Sequence, residues 1–207
     1  MRAWLAIVMA LGLSACGVVS EKPLFGPADA SRHPLAEGLW AMTSAGCEVS
    51  PLPPGQQLLE CAVPVTIRAG RMSWDTAGVM QSMLGPMAGA FKALPVPKSS
   101  QIVLVDGEPG VLELVNGPTI EMAAPVSPTS SPVQPGYLGL RPLSFDASGR
   151  VVRAVFWNIF CPKDPATSGF STATGKCVVQ SPDAIRRQAR HMPPLMSFYL
   201  TWIRSTP

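Results

Sequence analysis

The chain has 207 residues, enough for one domain with a core of its own. Lysine and arginine outnumber aspartate and glutamate only 16 to 13, a formal +3 that is too weak a balance for a nucleic-acid-binding surface. Its 23 prolines and 18 glycines break the chain into short elements and leave little room for long helices.

The N-terminus opens with the basic pair Met1-Arg2, followed by an apolar run from Ala3 to Leu13 that only Gly12 interrupts. A charged start, a short apolar stretch and small residues after it are the parts of a secretory signal. The run is far below the roughly 20 residues a membrane-spanning helix needs. The four residues that follow, Leu13-Ser14-Ala15-Cys16, resemble the lipobox of bacterial lipoproteins. The resemblance implies that Cys16 is diacylated on its thiol, becomes the first mature residue and is acylated on its new amine. Gly17 in second position implies the outer membrane, facing the periplasm. The chain then divides into a signal peptide (1–15), a lipidated tether (16–35) and a β-domain (36–207). The tether reads as polar and loop-like, with Pro23, Pro27 and Pro34. As a flexible chain it averages roughly 25 Å end to end.

Export places the other four cysteines in an oxidising compartment. They fall into two local pairs, Cys47 with Cys61 and Cys161 with Cys177. Four cysteines allow three connectivities, and the local one is favoured. Each local loop of about 15 residues removes roughly 3 kcal/mol of denatured-state entropy on closure.

Strands are expected from Gly38 to Thr43, Glu60 to Arg68, Arg71 to Asp75, Gln101 to Val105 and Val111 to Val115. Further strands are expected from Tyr137 to Phe145, Arg150 to Phe160 and Met196 to Arg204. Ala69-Gly70, Asp106 through Gly110 and Asp146 through Gly149 supply turn chemistry between them. Two stretches interrupt the strands. Thr76 to Leu94 is rich in methionine and small residues, and suits a flap, an interfacial helix or a loose apolar cover. Pro118 to Pro135 is a Pro/Ser/Thr-rich loop. Ser181-Pro182-Asp183 starts a helix that should run to about Arg190, with Ser181 as N-cap. The fold class is therefore mostly β: a single antiparallel barrel or sandwich of about eight strands with one short C-terminal helix.

Gly38-Leu39-Trp40 at the first strand resembles the opening of lipocalins and of small periplasmic inhibitors of secreted proteases. A Gly-x-Trp at a strand start is more often just a core tryptophan, and the rest of the chain matches neither family. A longer resemblance runs through Ala62-Val63-Pro64-Val65, Tyr137 to Pro142, Asp146 to Gly149, Trp157 before Cys161, and Trp202-Ile203-Arg204. On these the chain is similar to a group of uncharacterised alphaproteobacterial envelope lipoproteins, which implies an architecture and no activity. The helix carries Arg186, Arg187, Arg190 and His191, with Asp183 placed to pair with Arg187. The three arginines form either a solvated helix face or a contact with lipid phosphates or another anionic polymer of the envelope.

Catalytic patterns fail on inspection. Gly169 to Cys177 ends in Gly175-Lys176-Cys177, with one residue too many and no Ser/Thr for a phosphate loop. Gly169-Phe170-Ser171-Thr172-Ala173 lacks the closing glycine of a nucleophile elbow. The only histidines are His33 and His191, and no zinc-binding pattern contains them. The expectation is a non-catalytic, lipid-anchored binding or structural module of the envelope without cofactor or metal. Its partners are the membrane, through the N-terminal lipid, and an envelope protein or a lipophilic ligand, with no nucleic acid. The rivals are a lipocalin-like carrier, with Thr76 to Leu94 as its lid, and an inhibitor of an exported hydrolase.

Overall fold

A computed structural model describes residues 17–43, 62–74, 99–115, 134–172, 176–191 and 197–205. The signal region, Cys16, the Cys47–Cys61 pair, the segment 76–94 and nearly all of 118–135 lie outside the described residues.

In chain order the elements are β1 (Val18–Val19), a 3-10 turn (Pro27–Asp29), β2 (Gly38–Thr43), β3 (Ala62–Arg68), β4 (Arg71–Trp74), β5 (Ser100–Val105) and β6 (Gly110–Val115). Then come β7 (Gly136–Phe145), β8 (Val151–Asn158), α1 (Pro165–Ser168), β9 (Phe170–Ser171), β10 (Cys177–Val179), α2 (Pro182–Ala189) and β11 (Ser197–Arg204). The strands from β2 to β8 pair each with the next, and β11 lies between β8 and β2. Every one of these pairings is antiparallel, and the β6–β7 ladder closes the ring into an eight-stranded barrel.

Alternation along the strands sends one parity inward. Trp40, Leu112, Leu140, Val151, Ala154 and Leu200 belong to one apolar cluster inside the ring, each at 2 % exposure or less. The Trp40 indole donates to the Ala36 carbonyl at 2.8 Å, so its polar edge is satisfied where its ring is buried. Gly38 is fixed by close approach: at φ 138°, a Cβ there would stand 2.2 Å from the Arg204 carbonyl oxygen. Packing thus accounts for the Gly-x-Trp pattern.

The two ends of the barrel differ. At the turn end the connections are short. Ala69 and Gly70 sit at φ 48° and 67°, the positive values a type I′ hairpin requires. Asp106 to Pro109 joins β5 to β6. Asp146 Oδ1 accepts from Ser148 N and Arg150 N, each at 2.9 Å, to hold the β7–β8 turn. At the loop end, β2 to β3, β4 to β5, β6 to β7 and β8 to β11 are joined by longer connections.

A second layer covers the outer face of β5 to β8. The expected tether is part of it, and this corrects the sequence reading. β1 pairs in parallel with β10, Val18 with Cys177 and Val19 with Val178. Val18, Phe25, Tyr137, Ile159, Phe170 and Ile185 share one buried cluster. Further on, Ala30 bridges to Val105, Ser31 N donates to the Leu104 carbonyl at 2.7 Å, and Leu35 bridges to Val151. Residues 17–36 therefore run down the whole outside of the barrel and strap its turn end. Val18, Val19, Leu24, Phe25 and Leu35 are spaced too irregularly to show a period, yet each has apolar surface to bury.

Candidate functional site

Three places in the fold differ from the apolar barrel interior. The first is a groove of about 810 Å³ at the turn end. One wall is the strap at Ser31 and His33, another is the β5–β6 loop from Asp106 to Pro109, and the third is β7 from Leu140 to Phe145. Asp106 organises the first two: it accepts from the Ser31 hydroxyl, and from Arg32 N at 3.2 Å. The Ser31 hydrogen bond, the largest influence, holds the Asp106 carboxyl below its ordinary value. His33 Nδ1 donates to the Gly149 carbonyl at 2.9 Å, and its ring stands edge-on to Phe145 at 5.2 Å. Arg141 and Glu108 are exposed on opposite walls, so the groove carries both charge signs.

The third wall has an open edge. The β6–β7 ladder ends at Gly110 with Leu140, whereas β7 continues along β8 to Phe145 with Val151. Residues 141–145 thus project past β6 with one side unpaired by any strand among the described residues. Leu143 and Phe145 on this projection are 45 % and 50 % exposed, and they are the exposed large apolar side chains among the described residues. Sequence reasoning saw here a strand, a hairpin loop and a histidine in a tether. The strap that brings His33 to Phe145 left no pattern in the residues.

The second place is the loop end. Met42, Leu114, Leu138 and Phe198 lie at the strand ends there, pack on the inner cluster and are only half-buried. Phe198 stacks on Phe156 at 5.5 Å.

The third is a buried carboxylate on the outer face of β6. Glu113 is at 0 % exposure. Its Oε1 accepts from Leu24 N at 2.8 Å and from the Tyr137 hydroxyl at 2.7 Å. Tyr137 also meets the Ser20 hydroxyl at 2.6 Å. Burial, with the carboxylate beside it, pushes the Tyr137 phenol above its ordinary value. Glu113 has the outward parity of β6, and the N-terminal segment covers it.

The sequence-derived site residues are distributed as follows. Cys161 and Cys177 form a disulfide with Cα atoms 5.7 Å apart. Cys16, Cys47 and Cys61 are outside the described residues. α2 begins as expected, with the Ser181 hydroxyl accepting from Ala184 N at 3.3 Å. Arg187 and Arg190 are exposed, whereas Arg186 is not the free cation expected. Its guanidinium lies 5.2 Å over the Phe25 ring and 3.8 Å from Asp183. Asp183 thus pairs one residue earlier than the Arg187 expected, because Phe25 of the N-terminal segment draws Arg186 across the helix. No group of three His, Cys, Asp or Glu among the described residues is placed to hold a metal ion. No protein-family model, curated protein or solved structure matches the chain.

Proposed function

We propose that the chain is a non-catalytic binding module of the cell envelope, anchored by lipid at Cys16, that receives an extended segment of an envelope protein in the turn-end groove. The observation that carries this reading is the coincidence of three features along residues 141–145. These are an unpaired strand edge, two exposed apolar side chains and a groove with charges of both signs. An open edge offers main-chain hydrogen bonds to an added strand, and adjacent side chains give it selectivity. Exposed apolar groups rimmed by polar ones suit a protein partner. Pro142 lacks an N–H, so the ladder a partner can form is short, and side-chain contacts at Leu143 and Phe145 must supply much of the affinity.

The carrier reading has its own support in the half-buried apolar side chains at the loop end. The inner cluster of Trp40, Leu112, Leu140, Val151, Ala154 and Leu200 fills the lumen beyond them with side chains.

The test is recovery of partner from detergent-solubilised envelope on the purified lipoprotein, compared with the Leu143→Asp, Phe145→Asp variant. The expected result is one polypeptide that is enriched on the native protein and lost on the variant, with an unchanged melting temperature. Equal recovery on both, or on neither, contradicts the proposal.

A further inference from the structure

We propose that the loop end of the barrel lies against the bilayer, with Arg187 and Arg190 on lipid phosphates, so that the turn-end groove points away from the membrane. The inference rests on the reading of Cys16 as the lipidated residue.

Its starting point is where the chain leaves the described structure. Gly17 is bridged to Phe160, and Val18 and Val19 are paired with β10 and buried. Cys16 is joined directly to this fixed backbone, its Cα about 3.8 Å from that of Gly17. The expected stand-off of roughly 25 Å for a flexible tether is absent, because its residues are bound to the barrel. A lipid on Cys16 therefore draws the body itself onto the surface.

The position of Gly17 selects which end meets the lipid. Val19 pairs with Gly136, the first residue of β7, and Phe160 stands two residues past the end of β8. Both mark the loop end. The eight residues of β8 span about 26 Å, so the turn end is several Debye lengths away.

The basic helix reaches the same place. Gln188 Nε2 donates to the Phe160 carbonyl at 3.0 Å, and the Trp157 indole donates to the Ala189 carbonyl at 3.1 Å. The last turn of α2 is thereby fixed beside the residue that bridges Gly17, with Arg187 and Arg190 exposed. Arg186 is held by Phe25 and Asp183 and takes no part. In the neighbouring loops Lys22 stands next to Glu21 and Lys163 next to Asp164, so local charge there is balanced. Lys176 donates to Gln134. Exposed arginines at a membrane surface are attracted to anionic headgroups, and the half-buried Met42, Leu114, Leu138 and Phe198 lie at the same end of the barrel.

The experiment uses the full lipoprotein reconstituted into phosphatidylglycerol-containing vesicles. A fluorescent amino acid is placed at residue 163 or at residue 147, in the β7–β8 turn, and a headgroup-level quencher lipid is included. Flotation of the vesicles and the mass of the N-terminal peptide report anchoring separately. The expected result is strong quenching at 163 and little at 147, with quenching at 163 falling towards the 147 level in the Arg187→Gln, Arg190→Gln variant. Equal quenching at the two positions, or more at 147, in a protein that floats and carries acyl mass overturns the orientation and leaves the anchor standing. Unchanged quenching at 163 in the double variant overturns the role of the arginines. A chain without acyl mass at Cys16 removes the anchor and the orientation with it.

Discussion

Glu113 and Tyr137 show how one buried polar pair ties two parts of the chain together. Oε1 of the Glu113 carboxylate on β6 is satisfied because Leu24 N and the Tyr137 hydroxyl come to it, with Ser20 holding the tyrosine, whereas Oε2 has no hydrogen-bond partner among the described residues. Tyr137→Phe removes the hydroxyl donor and leaves Leu24 N as the remaining donor to the buried Glu113 carboxyl. The expected cost is about 1–3 kcal/mol, read as a shift in the denaturant midpoint. Acid tests a second residue. Asp146 has its pKa lowered from 3.8 to about 2, first by the Ser148 hydroxyl and then by Arg150 N. A carboxyl depressed on folding contributes stability that is complete above its unfolded value and is lost as pH falls through the folded one. That contribution should therefore decline between about pH 4 and about pH 2, and the pH profile of the Asp146→Asn variant should be flatter over this window. The turn role of Asp146 was legible in Asp-Ala-Ser-Gly. The buried role of Glu113 was not, since a strand reading Val-Leu-Glu-Leu-Val does not reveal what covers its outer face.

Among the elements, length decided what could be read. Strands of six or more residues show alternation bounded by turn residues, and β2, β7, β8 and β11 stand within two residues of the expected limits. β1, β9 and β10 have two or three residues, too few for any period. The N-terminal segment was misread for the same reason: its prolines and polar residues signal a loop, and its buried side chains follow the barrel surface rather than a helix or strand repeat. The helix was read correctly, and its energetics follow from burial. Ile185 is at 0 % exposure and is the large apolar group through which α2 packs on the outer layer. Ile185→Ala should cost about 2–5 kcal/mol in thermal or chemical unfolding. Arg190→Ala, on the exposed side of the same helix, should cost about 0.5 kcal/mol or less.

The whole molecule adds what no stretch of sequence carries. A barrel and a sandwich share the same alternation, and only the β6–β7 ladder distinguishes them here. Closure creates two unlike ends, and the N-terminal segment connects them, beginning beside α2 at the loop end and finishing as the strap that forms one wall of the groove. In the proposed arrangement the protein is two-sided: lipid at the loop end, a polypeptide at the turn end. The candidate groove was not legible because His33, Asp106, Arg141 and Phe145 are brought together by the strap and the closure, and no spacing links them. The proposed anchor rests instead on a resemblance confined to Leu13-Ser14-Ala15-Cys16, which is local in sequence. Paired photo-crosslinking in intact cells tests this polarity most directly, with a photoreactive amino acid at residue 145 or at residue 163 of the full chain. The account predicts a discrete polypeptide adduct from 145 and a phospholipid mass adduct from 163. Lipid adducts from 145, or the same polypeptide adduct from both positions, would contradict it.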